Sequence, residues 1–506
     1  MRLNYQKWIW QDPVMRLLLL VSSGLVILQF ILFKYLYPYP NFLPDSYSYL
    51  DAAFQNAKIN LWPVGYSKFL RLFSCFTHND TALIFFQYAF LQAAVLYFLS
   101  SVVYITHPSK WFTRLLFAVS VLNPVLLYVS NFISSDAVFS ALSIIWLTQI
   151  IWLTYSPGLK LVAAHAVVLY LVFITRYNAL YYPIISTGVL LFSSLSLRKR
   201  LAGLGLIYLL IGSFITNTVL TYRAVSGKPQ FSAFGNWQLA SNALFAYAQQ
   251  KVTVNEQVPD KFKGLHSIVI RHIDSLQQLT SRPDSSLGIY YLWDEKAPLK
   301  QFLGKTRDSD SSSGYFKRWI GVAPLYGEYG TFLIRQHPLS FTKHFLVPNI
   351  VNYYVPNPEF LAVYNMGSDS VGDIAKYWFR YTTNKVPSGG AQHIAVMELM
   401  PVAFAVVNLC FILTFLGFLV LGGMSKSSHS FRLIIQWITI IWGTNFLFSV
   451  FASPIVLRYQ VFPIIFTFTF LLLLLEFLIK ESSGRKPIIN LPGYFVERSI
   501  SATSPN

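Results

Sequence analysis

Charge is scarce in this chain. Asp, Glu, Lys and Arg together make up 12% of its 506 residues, about half the share in a soluble domain of ordinary composition. Acid is the scarcer sign, with 21 acidic side chains against 39 basic ones. So few charges cannot cover the surface of a water-soluble protein this long. Cysteine is rarer still: Cys75 and Cys410 are the only two, far apart and both near apolar segments. That excludes a disulfide framework or a cysteine metal cluster. No glycine-rich phosphate loop with its lysine occurs, so nucleotide-driven transport has no basis here. Internal repeats and sustained low-complexity segments are also missing. No small-residue cleavage site follows the first apolar run, which therefore reads as a retained span rather than a removed signal.

What fills the chain is apolar. Hydrophobic residues make up 54% of it, and they recur in runs of roughly 18–25, the length that crosses about 30 Å of hydrocarbon as helix. Inside lipid a helix satisfies its own backbone groups, so the fold class expected is an all-α polytopic membrane protein. Ten spans are predicted, near residues 14–35, 82–105, 111–130, 136–155, 160–175, 178–197, 201–222, 396–421, 433–452 and 458–479. The fifth is short, and Asn123-Pro124 interrupts the third.

Lysine and arginine then set the orientation. Arg2, Lys7 and Arg16 precede the first span, Lys110 and Arg114 begin the third, and Lys160 begins the fifth. Arg198, Lys199 and Arg200 lie between the sixth and seventh. Lys426 and Arg432 separate the eighth and ninth, and Lys480, Arg485 and Lys486 follow the last. All fall on one side if the spans alternate, and short basic loops mark the cytoplasmic side. The formal charge of +18 is thus topogenic and lipid-directed, not a nucleic-acid footprint. Four regions follow: an N-terminal membrane module 1–222 with a first outer loop 36–81, an outer segment 223–395, a C-terminal membrane module 396–480, and a cytoplasmic tail 481–506. The outer segment mixes polar and aromatic stretches and is expected to form short helices at the membrane surface, anchored by Tyr and Trp.

Ionisable residues at span borders on the outer side are costly, and so are the functional candidates. Asp45 follows the first span in "PDSYSYLDAA". Asp136 opens the fourth in "SSDAVFSAL", Arg176 closes the fifth in "TRYNALYYP", and Arg458 begins the last in "RYQVFPIIF". Two acids and two arginines from distant parts of the chain share one membrane face. A carboxylate there can take the proton of an attacking hydroxyl or amine, and guanidinium groups can hold a phosphate leaving group. More ordinary roles exist for each: Asp136 as a helix-start residue, Asp45 in an Asx turn, the arginines on lipid heads.

Those stretches, with "WPVGYSKFLRLF" and "IRQHPLSFTKHFL", occur in an order that resembles the GT-C superfamily of integral-membrane glycosyltransferases. That superfamily includes bacterial relatives of protein mannosyltransferases and aminoarabinose transferases. The resemblance implies a polyprenyl-phosphate-linked sugar as donor, a glycan, lipid or protein acceptor, and a mainly helical extracytoplasmic loop domain above a cavity. It implies Asp45 as general base, with Asp136 as a second catalytic acid. Arg176 and Arg458 would lie on the phosphate side, and Tyr49, Lys68 and Tyr459 within the matched stretches would join the binding group. The paired Asp-Glu of the mannosyltransferases is here Asp45-Ser46, which leaves the acceptor open. Some members use a divalent metal and others do not, and no cofactor follows from Asp45 and Asp136 alone. A bacterial plasma (inner) membrane location is favoured over the endoplasmic reticulum by the lack of a retention signal.

Other signals carry less. "DSDSSSGYF" starts like a calcium loop but has its glycine one place late and no glutamate at the twelfth position. Asp294-Glu295 reads as a solvated loop pair, His337 as a residue packing a helix end, Asn79 as a chance sequon, and Tyr353-Tyr354 as interfacial anchors. Rival readings are an O-antigen ligase or polymerase, a secondary transporter or lipid flippase, whose charges would sit nearer the midplane, and a membrane scaffold. The topology makes a direct prediction: single cysteines placed in 223–395 react with an impermeant maleimide added outside intact cells. Labelling only from the cytoplasmic side would contradict it.

Overall fold

The computed structural model describes residues 4–250, 257–309 and 314–484. Arg2, the centre of the "DSDSSSGYF" stretch, and Arg485 and Lys486 of the tail lie outside the described residues. Among those described, regular structure is helical, and extended pairing is confined to isolated bridges. Eight helices are long and apolar enough to cross a membrane: Pro13–Leu36, Asp80–Thr106, Lys110–Ser130, Asp136–Tyr155, Leu197–Ser226, Ala395–Val420, His429–Ala452 and Leu457–Ser482. They mark a membrane-embedded, multi-pass protein. Three of them, Pro13–Leu36, Asp80–Thr106 and His429–Ala452, start with a side-chain cap. Asp12 accepts from the N–H groups of Val14 and Met15, both at 2.9 Å, with Pro13 in the first helical position. The Asn79 side chain caps Ala82 at 2.7 Å, so the sequon asparagine is part of a helix start.

Two of the ten expected spans fall short. Leu159–Thr175 is an apolar helix of 17 residues. The expected 178–197 span is instead a 3-10 turn, Tyr177–Ala179, followed by an 11-residue helix, Tyr182–Phe192. Eleven residues rise only about 16 Å, half the hydrocarbon thickness. The cause is local: Arg176 is extended, and Pro183 starts a new helix instead of continuing the old one. The third span is broken as expected, Asn123 capping Val125 at 3.1 Å beside Pro124.

Burial is unequal across the bundle. In Asp136–Tyr155 and Leu457–Ser482, 78% of the apolar window is buried, against 22% in Pro13–Leu36 and 28% in Ala395–Val420. The two central helices are the ones that begin with Asp136 and Arg458. At the far end of the same bundle the Glu476 carboxylate accepts from the backbone N–H of Ser109 at 2.8 Å, and Lys426 pairs with Glu481. Lys426 and Lys480 thus lie at the end opposite Asp136, each paired with a glutamate.

Where short surface helices are expected, the described residues between 233 and 346 form a second layer with its own core. Ala233–Ala248 packs along Tyr315–Gln336, and the Trp237 and Trp319 rings stack at 4.9 Å between them. Trp237 Nε1 donates to the Trp319 carbonyl at 3.0 Å. Glycine permits this approach: a Cβ on Gly330 would lie 2.9 Å from backbone atoms of Ala240. His337 ends the second of these helices against Tyr247, with ring centroids 5.1 Å apart. Asp294 and Glu295 make local contacts, to the Lys296 N–H at 2.8 Å and the Lys300 ammonium at 3.1 Å. Because backbone cannot move aside cheaply, Gly330→Ala is expected to cost about 1–3 kcal/mol, read as a lower unfolding midpoint in detergent. An unchanged midpoint would show that the two helices separate freely.

Candidate functional site

Two backbone pairings and one asparagine side chain bring the site residues together. Asn41 bridges to Phe132: its N–H donates to the Asn131 carbonyl at 2.8 Å, and Ile133 N–H donates to the Asn41 carbonyl at 3.0 Å. That sets the start of the Asp45 helix beside the start of the Asp136 helix. Asn357 bridges to Val456, and Leu457 N–H donates to the Asn357 carbonyl at 2.8 Å. That sets the 357–360 turn beside Arg458. Asn365 closes the group, its side chain accepting from Phe42 N–H at 3.0 Å and its N–H donating to Asn41 Oδ1 at 3.2 Å.

These elements enclose a cavity of about 970 Å³ between the helix ends and the second layer. Asp45, Asp136, Arg176, Arg458, Tyr49 and Tyr459 all line it. Lys68 does not: its ammonium donates to the carbonyl and side chain of Asn56, at 3.1 and 2.7 Å, away from the cavity. The helix that carries it presents Tyr66 and Leu70 inward and Lys68 to the side, so its proximity in sequence to Asp45 does not become proximity to the site.

Asp136 is the most constrained member. It is 2% exposed, and one carboxylate oxygen pairs with Arg176 while the other accepts from Arg458 Nη1 at 3.1 Å and from the Ser134 hydroxyl at 2.7 Å. The two guanidinium groups also lie over the same ring, Arg176 at 4.9 Å and Arg458 at 4.7 Å from the Tyr459 centroid, a favourable arrangement for cations over an aromatic face. Arg458 Nη2 donates to the Tyr459 hydroxyl at 2.9 Å. An acid with both oxygens held by guanidinium is a poor proton acceptor. Its bonds align two arginines on one wall.

Asp45 is the opposite case. It sits half-buried in the first turn of Pro44–Phe54 and, among the described residues, bonds to no other residue. Burial raises its carboxyl above the usual carboxylate range and Asp136 adds to that; Arg458 and Arg176 pull it down without cancelling the rise. Tyr49, one turn along, is buried and exchanges a hydrogen bond with Ser135 at 3.1 Å, tying the Asp45 helix to the Asp136 turn.

A fifth charged residue of the cavity is absent from the sequence reading. Glu359 lines it, with Oε2 3.7 Å from Arg458 Nε. Its signal in the sequence is slight, one acid in the aromatic run "NYYVPNPEF". Scarcity of acid in the chain was the one cue that could have singled it out.

The donor set does not suit a divalent cation. Among the described residues no three His, Cys, Asp or Glu side chains group closely enough to hold one, and both Asp136 oxygens are already bonded to arginine.

Asp136→Asn leaves two buried guanidiniums without their counter-charge, a change that typically costs about 3–5 kcal/mol. A double-mutant cycle with Arg458→Leu, read by thermal unfolding, should show the pair less destabilised than the sum of the singles; strict additivity would mean that the ion pair contributes nothing. No family model, curated protein or solved structure matches this chain, so a functional assignment rests on the residues themselves.

Proposed function

We propose that the protein is a membrane glycosyltransferase of the GT-C kind, moving a sugar from a polyprenyl-phosphate carrier to an acceptor, with Asp45 as general base. One observation carries this reading: an unbonded carboxylate shares a single cavity with two arginines locked side by side, at the end of a bundle of apolar helices. The roles divide accordingly. The acceptor O–H gives its proton to the Asp45 carboxylate as its oxygen bonds to the anomeric carbon. The bond from that carbon to the phosphate oxygen breaks, and the electron pair leaves with the phosphate. Guanidinium donors stabilise the charge that collects there.

Arg176 is the better phosphate ligand of the two. One of its terminal nitrogens is held by Asp136, and among the described residues the remaining donors have no protein acceptor. Arg458 is tied to Asp136, Tyr459 and, more loosely, Glu359. Large exposed apolar side chains at the cavity, Phe451 and Leu180 among them, suit the prenyl chain of such a carrier. The basic residues at the opposite end of the bundle support a cytoplasmic location for that end, and so an extracytoplasmic cavity in the plasma membrane.

Asp45→Asn is expected to abolish transfer from a polyprenyl-phosphate sugar while leaving the unfolding midpoint near that of the wild type, because an amide of the same shape cannot accept the proton. A base with a raised pKa works only when ionised, so kcat/KM should fall as pH drops through a value above the ordinary carboxylate range, and that limb should vanish in the variant. Wild-type turnover in Asp45→Asn would remove the assignment.

A further inference from the structure

Glu359 stands in a conformation that a glutamate has no local reason to adopt. Its φ is +47°, in the left-handed region where a side chain is strained and glycine is at ease. The turn is pinned on both sides: its N–H donates to Asn357 Oδ1 at 2.7 Å, and the Asn357 carbonyl accepts from Leu457 N–H. Strain of this kind persists only where the surroundings impose it, and it gathers at functional positions. The turn delivers one carboxylate into the cavity wall.

That carboxylate is incompletely satisfied. Oε2 is buried and, among the described residues, has no hydrogen-bond partner, and neither has Arg458 Nε, which faces it from 3.7 Å. The two attract as charges but stand too far apart to share a proton. A buried acceptor and a buried donor left open beside each other in a ligand-sized cavity are unusual, since burial without a partner is costly. The charges around Glu359 are Arg458 on the last helix, Asp45 on the first-loop helix and Asp136 on the central helix. An anion cannot rest against a site with three carboxylates close by, so a phosphate is directed to the free edge of Arg176. What suits Glu359 is a group that brings its own proton.

We propose that Glu359 is a specificity-determining residue that accepts a hydrogen bond from a sugar hydroxyl of the donor, assisted by Arg458. This rests on the transferase reading and adds a direction to it: the phosphate lies toward Arg176 and the hydroxyl-bearing ring lies toward Glu359 and Arg458. The cavity-facing part of the carboxylate can accept from such a hydroxyl, while Arg458 holds the buried Oε2 by charge. A carrier with no sugar makes no such contact, so Glu359 separates loaded carrier from spent carrier.

The test measures binding of two probes to the full chain in nanodiscs, without acceptor: a polyprenyl monophosphate, and the same lipid bearing a hexose, tried as its mannose, glucose and galactose forms. Wild type should hold at least one hexose form more tightly than the bare phosphate. Glu359→Gln should weaken that form by about tenfold or more, the usual scale for losing a hydrogen bond to a charged group, with the bare phosphate changed less than about twofold. Glu359→Gly removes the carboxylate and relieves the backbone; it should show the same loss of discrimination with an unfolding midpoint at or above that of wild type. Equal weakening of both probes, no change in either, or a lower midpoint for Glu359→Gly would overturn the assignment and make the residue a structural one. Wild type that binds neither probe would contradict the transferase reading itself, and the role of Glu359 with it.

Discussion

The carboxylate of Asp136, shared between Arg176 and Arg458, is the contact on which the site depends. Neither guanidinium could remain at the rim of an apolar bundle without a counter-charge, because desolvating an unpaired cation costs far more than a fold of ordinary stability can absorb. One acid serves both cations, and the Tyr459 ring beneath them fixes their planes. Position in the bundle favours this pairing, since the two helices that begin with Asp136 and Arg458 are the most deeply enclosed of the spans. A rigid centre thus holds the cationic wall, while the half-buried Asp45 lines the same cavity with its carboxylate unbonded.

This division between a bonded acid and an unbonded one gives the two aspartates different chemistry. In Asp136 every lone pair that faces the protein already has a donor, so the residue sets geometry. Asp45 carries its charge against burial and near another carboxylate, and its proton affinity rises toward the range useful to a base. Glu359 adds a third carboxylate whose place is set by strained backbone rather than by helix. Two like charges beside one cation, Arg458, make the cavity selective about where an anion can sit. Under the proposed function, that electrostatic asymmetry would orient the lipid phosphate of the donor.

Much of this architecture was legible from residue order, for identifiable reasons. Long apolar runs have one solution in lipid, so most spans emerged directly, and the break at Asn123-Pro124 followed from proline chemistry. Asp45, Asp136, Arg176 and Arg458 stood out because charge at a span border is rare, and all four line one cavity. The failures are equally instructive. Residues 178–197 are as apolar as a span, but the turn Tyr177–Ala179 delays the helix to Tyr182 and an extended Ser193 ends it at Phe192, too short to cross. The layer from 233 to 346 hides its core because its aromatic residues, such as Trp237 and Trp319, look the same in sequence whether they anchor in headgroups or stack on each other. Lys68 belongs to the stretch "WPVGYSKFLRLF", but its helix turns the ammonium to Asn56 and away from the cavity. Glu359 reaches the site through a pairing between residues 99 positions apart, Asn357 and Val456, that no local pattern announces.

The most direct test of the account is a structure of the protein in a lipid nanodisc with a polyprenyl phosphate bound. The arrangement requires a phosphate oxygen within hydrogen-bonding reach of the Arg176 guanidinium, Asp136 still bridging both arginines, and Asp45 facing the bound lipid without a protein partner. A phosphate held at the basic end of the bundle, or an Asp136 released from either arginine, would contradict it.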